Sequence, residues 1–245
     1  MQQTFSFSHL LKTSNPSDIY VYPIIPGTDA WKSLKSHDQM LEVLQIPQAT
    51  LSKMSTEGLV ETVLNYPLFG DWRAYDSSQE GFEKIISRFN GLQELLIRSD
   101  AGKLLLAKYK IMDPLAVQKE WTNVVKGAYS FSFQNIELLL AQDKILTILS
   151  KEKRDCLLLQ SMKKYKSKLK YNTKENLYSI ASLEINVCLM GRVLQKENYA
   201  PFLQRMKTEI AIQDYLKTIF KPDVETAIQS MNEIVSLTQQ YINNK

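Results

Sequence analysis

Histidine and cysteine are nearly missing from this chain. His9 and His37 are the 2 histidines in 245 residues, and Cys156 and Cys188 the 2 cysteines. Neither histidine belongs to an HExxH spacing and there is no CxxC pair, so a transition-metal site would need most of its ligands from carboxylates. A disulfide framework is excluded by number. Each cysteine sits among apolar neighbours, in CLLL and in NVCLM, and reads as a buried small hydrophobe. A disulfide between adjacent helices is the minority reading. The four residues lie far apart in sequence, so a Cys-His nucleophile pair is not supported. GxxxxGK[ST], GxGxxG and GxSxG are all absent, which removes the usual phosphate loops and the nucleophile elbow. No cofactor is expected.

Glycine and proline are also scarce, at 8 each, too few for a turn-rich β architecture. Long apolar runs are missing. IELLLA at 136–141 falls far short of the ~20 residues of a membrane span. The opening MQQTFSFSHLLKTSNPSD has no basic segment followed by an apolar core, so no leader is read in it. The expected location is cytoplasmic by default, and secreted if a leader has been removed. A large charge imbalance is lacking too. A net charge of +4 does not by itself imply a nucleic-acid partner.

What remains is abundant helix-forming material. Hydrophobic residues make up 44% and charged residues 23%, which fits an ordered globular chain. Residues 1–30 are the exception. Prolines interrupt the β-favouring run IYVYPII, which predicts an extended arm with Tyr20, Tyr22, Ile24 and Ile25 against the body. Beyond it, helix punctuation recurs. Ser36 with Gln39 fits a capping box. Ser55 is an N-cap, with Met54 and Leu59 at staple spacing. Ser77 or Ser78, Asp100, and Asp113 before Pro114 follow. Pro67 closes one element, and Asn90-Gly91 stops or kinks another. GAYSFSFQN at 127–135 alternates like a strand but has no partner, and reads as a connection. Ser150, Lys174, Pro201 and Pro222 begin longer elements.

The predicted fold is all-α, an irregular multi-helix array. Caps recur near every twenty residues, the scale of an armadillo- or HEAT-like pair of about forty residues. No repeated signature accompanies them, so an α-α superhelix and an irregular bundle both fit. The expected organisation is an irregular arm at 1–30 and one helical domain at 31–245, with a soft subdivision near 127–134.

Two segments attract a binding reading. GDWRAYDS places Trp72, Arg73 and Tyr75 in a loop, and aromatic and Arg side chains make strong contacts at low entropy cost. Its bland reading is a helix connection that buries Trp72. KKYKSKLKYNTK holds six lysines at 163–174 without an acid. Lys164, Lys166 and Lys168 there could meet an anionic lipid or a phosphate backbone. Its bland reading is a solvated helix C-terminus, where cations favour the dipole. Specific nucleic-acid reading is disfavoured because the segment has no Arg. Asp71, Asp76 and Glu80 are the carboxylates that a hydrolase of unrecognised type would use.

MSTEGLVETVLNYP and FNGLQELLIRSDA resemble segments of a poorly characterised family of bacterial helical proteins. Weaker agreement runs through IELLLAQDKIL and LMGRVLQKENYAPF, over positions 20 to 205. The resemblance implies a helical region that in some members is secreted and precedes a C-terminal Cys-His segment. It supplies no catalytic residue within this chain. The leading expectation is a non-enzymatic helical interaction or accessory module, with protein as its partner. A carboxylate hydrolase and an anionic-surface binder are the alternatives.

Overall fold

Serine hydroxyls start several helices. In the computed structural model, which describes residues 16–219 and 223–245, Ser36 accepts from Gln39 N and Ser55 from Gly58 N. Ser77 accepts from Glu80 N and Ser150 from Lys153 N. Each satisfies a first-turn N–H that a helix leaves without an internal partner. In chain order the helices are α1 (Asp29–Lys32), α2 (His37–Val43), α3 (Gln48–Leu51) and α4 (Thr56–Leu64). A 3-10 turn (Phe69–Ala74) follows, then α5 (Ser78–Arg88), α6 (Asn90–Leu95) and α7 (Ala101–Ile111). The longer part comprises α8 (Asn123–Leu140), α9 (Asp143–Ile148), α10 (Lys151–Asn172) and α11 (Ile180–Lys196). It ends with α12 (Ala200–Thr208), α13 (Ile210–Thr218) and α14 (Val224–Asn243). The fold is all-α, with no strand among the described residues.

The core centres on α11. It packs on α8, α10 and α14, with further contacts to α9, α12 and α13. Val187, Cys188, Leu189, Met190, Val193 and Leu194 are all buried, so apolar residues occupy every side of this helix, as burial from all directions requires. Packing of that kind is a bundle around one element. In a repeat stack, each unit touches only its neighbours. One continuous apolar cluster runs from Tyr22 to Tyr241. Both cysteines are free, Cys188 buried and Cys156 half-buried.

From residue 16 to Thr28 the arm has no helix or strand, and it lies against α4. Tyr20 N donates to Thr62 Oγ1 at 3.0 Å and the Tyr22 hydroxyl to Thr62 O at 3.2 Å. His9 lies outside the described residues, as does Pro222, where the last helix was expected to begin. The side chain that caps α14 is Asp223.

Four expectations need correction. Asp100 already has helical backbone angles and its side chain caps nothing. Asp113 Oδ1 accepts from Leu115 N at 3.0 Å, a local turn, and the Asp-Pro pair opens no helix. The helix begins after Thr122, whose hydroxyl accepts from Val125 N. The segment 127–135 is no connection, because it is the interior of α8. Val125, Tyr129, Phe133, Ile136 and Leu140 follow the helical period and are buried. Ser130, Ser132 and Gln134 look like the polar face of a strand, yet they are buried too, because α4, α7, α9 and α11 all pack on α8. Finally, 173–179 is not helical. Asn172 holds Tyr178 through both of its amide groups, and Ser179 caps α11.

A candidate binding cleft between the 3-10 turn and α8

Pro67 follows α4, and the chain then tightens into the 3-10 turn. Phe69 and Trp72 are buried and anchor that turn. It lies flat on α5 because residue 81 is glycine. A Cβ there would stand 2.3 Å from the Trp72 carbonyl oxygen and 2.7 Å from its Cα. With Trp72 fixed inward, Arg73 projects outward beside α8.

The Arg73 guanidinium is held between two rings. Its carbon lies 4.2 Å from the Trp72 ring centroid and 4.1 Å from that of Phe131 on α8. One Nη donates to Gln134 Oε1 at 3.1 Å, which joins the turn to α8. Among the described residues no carboxylate pairs with Arg73. Burial of its inner surface pulls its pKa down to about 10, so it remains a cation at neutral pH.

Beside Arg73 a cleft of about 340 Å³ opens between the turn and α8. Leu64 and Phe69 give it apolar walls, and Phe131 and Asn135 line the α8 side. Asn135 Oδ1 is buried and has no hydrogen-bond partner among the described residues. Such an atom normally finds a donor, because leaving it unpaired costs about 1–3 kcal/mol. The apolar surface continues along α8. Val124, Ala128 and Phe131 share one helical face and are exposed, Phe131 at 47%.

The other expected residues lie elsewhere. Trp72 is buried, so it shapes the site without facing solvent. Tyr75 borders a separate small hollow of about 20 Å³ with His37 and Asp71. His37 Nε2 and Asp71 Oδ2 are 2.8 Å apart at the surface. Asp76 and Glu80 are exposed, so the three carboxylates do not share an enclosed site. Among the described residues no three His, Cys, Asp or Glu side chains gather closely enough to hold a metal ion.

The basic segment departs most from expectation. Lys166 is exposed and donates to Gln239 Oε1 at 2.8 Å. Lys164 and Lys168 are buried, and neither presents its charge to a solvent-facing patch. The reason is helical phase. Ser161, Lys164 and Lys168 share the face of α10 turned into the bundle, where Glu137 of α8 supplies the counter-charge. Loss of hydration pulls the Lys164 pKa down to about 8, against the Glu137 charge that raises it. It also lowers that of Lys168, again opposed by Glu137. The described cavities do not reach these two lysines.

The largest described cavity, about 510 Å³, is bordered by Arg192 and Lys196. Its cations are already engaged. Arg192 donates to the Leu216 and Ala141 carbonyls and to Gln79, and Lys196 to Asp143 and Thr147. The Arg73 cleft differs in combining a cation without a carboxylate partner, apolar walls and an unused acceptor. Phe131 and Asn135 escape a reading of 127–135 as a connection. The signal that locates them is the i, i+4 spacing of helix α8.

Comparison with family models, with curated proteins and with solved structures returns no match.

Proposed function

We propose that this chain is a non-catalytic helical module that binds its partner in the cleft between the 3-10 turn and α8. The observation that carries the reading is Arg73. A guanidinium flanked by Trp72 and Phe131, bonded to Gln134 and without a carboxylate partner among the described residues, is a positioned recognition group. Around it, the exposed stripe of Val124, Ala128 and Phe131 offers apolar area for a partner to cover. The cleft has binding chemistry and no gathered acid, base or nucleophile, which favours recognition over turnover.

The test is a nuclear magnetic resonance screen of the full chain against a chemically diverse fragment library. Shifts concentrated on Leu64, Arg73, Phe131 and Asn135 are expected. Fragments that gather at the Arg192 cavity or scatter over the surface would overturn the reading.

A further inference from the structure

We infer that the cleft takes an apolar carboxylate bearing an N–H donor: an N-acyl amino acid, or the C-terminal residue of a peptide, which presents the same chemistry. The assignment rests on the cleft being the recognition site and specifies its ligand.

Arg73 supplies the first element. Rings flank the faces of its guanidinium. On the edge one Nη donates to Gln134 Oε1 and the other to the Gly70 carbonyl at 3.5 Å, and the remaining N–H donors of the planar fork match a carboxylate in its own plane. Gly70 keeps room beside that edge. A Cβ at residue 70 would stand 2.9 Å from Arg73 Nη1. Asn135 supplies the second element. Its Oδ1 is an acceptor only, so the ligand must bring a donor. A plain fatty acid brings none when ionised. The walls supply the third. Leu64, Phe69 and Phe131 favour an aliphatic group over a strongly hydrated dianion. Size supplies the fourth. About 340 Å³ lies at the low end of the roughly 300–1,000 Å³ of small-ligand sites, enough for one amino-acid residue and its acyl group.

The experiment compares four compounds by titration of the full chain: N-acetyl-leucine, N-acetyl-leucinamide, 4-methylpentanoate and an acetylated tetrapeptide ending in leucine. N-acetyl-leucine is expected to bind at least about tenfold more tightly than the amide, which lacks the charge, and than 4-methylpentanoate, which lacks the N–H. Arg73→Gln should erase the preference over the amide. Asn135→Leu should erase the preference over 4-methylpentanoate and leave the other intact. Gly70→Ala keeps the charge but displaces the guanidinium, and should weaken N-acetyl-leucine selectively. A tetrapeptide tighter than N-acetyl-leucine identifies a peptide C-terminus as the source, and a weaker one identifies the free N-acyl amino acid. Either result supports the assignment. Equal binding of the amide or of 4-methylpentanoate overturns it. If uncharged fragments map to the cleft and the carboxylates do not, the ligand class fails and the module stands. If no compound or fragment maps there, both fail.

Discussion

Lys168 Nζ lies 2.9 and 2.7 Å from the two carboxylate oxygens of Glu137, and both side chains are fully buried. The pair joins α10 to α8. Glu137 also accepts from the Tyr109 hydroxyl of α7 at 2.8 Å and from Asn186 Nδ2 of α11 at 2.7 Å. Lys168 makes a further bond to the Ser182 carbonyl at 3.2 Å. Four helices thus meet on one carboxylate. Both Glu137 oxygens and the Lys168 ammonium are partnered, which offsets the cost of burying the two charges, and each partner here fixes the depth and rotation of a helix.

Removing one member of that pair leaves the other charge without compensation. Lys168→Met or Glu137→Gln alone should lose about 3–5 kcal/mol in urea unfolding. Lys168→Met combined with Glu137→Gln should lose clearly less than the sum, because the amide oxygen still serves Tyr109 and Asn186 and no charge is stranded. Additive losses would show that the two residues act independently.

Stability should also depend on pH through Lys164. Its ammonium lies 4.6 Å from the Tyr109 ring centroid and donates to Gln160 at 3.3 Å. Its pKa is about 8 in the folded chain, below the unfolded value of about 10.4. Below pH 8 both states hold the proton, and the folded state bears the cost of a buried charge. Above it, the folded state sheds the proton while the unfolded chain keeps it. The unfolded state then binds more protons, so stability rises with pH over this window, by about 1–2 kcal/mol. Urea unfolding near pH 7.5 and near pH 9.5 reads the difference. Lys164→Met should flatten it, and an unchanged rise in that variant would assign the effect to other groups.

Gly81 carries the 3-10 turn that presents Arg73. Gly81→Ala places a methyl group against the Trp72 backbone, which cannot swing aside as a side-chain tip can. A loss of about 1–3 kcal/mol, typical of overpacking, is expected, together with shifted resonances at Arg73 and Phe131. An alanine accepted without either change would mean that the turn does not depend on this contact.

The start of α8 provides a local test. Thr122→Ala should cost about 0.5–2 kcal/mol, the value of an N-cap, and Asp100→Ala about 0.5 kcal/mol or less. The reverse order would contradict the observed caps.

Legibility in the sequence follows the range of the interactions involved. Ser36, Ser55, Ser77 and Ser150 are readable because a cap is settled within four residues. Asp100 and Asp113 carry the same signal but bond otherwise, which only the surrounding chain determines. The interior of α8 misleads because Ser130, Ser132 and Gln134 are buried polar residues, and alternation then imitates a strand. The lysines of α10 mislead for a related reason. A charge run reads as surface unless its counter-charge is known, and Glu137 lies 31 residues from Lys168. Trp72 and Arg73 are legible as residue types suited to binding. The partners of Arg73 on α8, Phe131 and Gln134, reach it through a contact between distant elements, which no local pattern reveals.

Whether Arg73 and Phe131 serve recognition or folding can be measured without knowing the partner. Denaturant unfolding of Arg73→Gln and Phe131→Ser reads it. Both side chains are partly exposed, and each lost stacking contact is worth about 0.5–1 kcal/mol. Each variant should therefore unfold within about 1.5 kcal/mol of the parent, while Trp72→Ala, which empties the core beneath them, loses about 3–5 kcal/mol. A loss of core size in Arg73→Gln or Phe131→Ser would contradict a recognition role and make the two residues part of the structural framework.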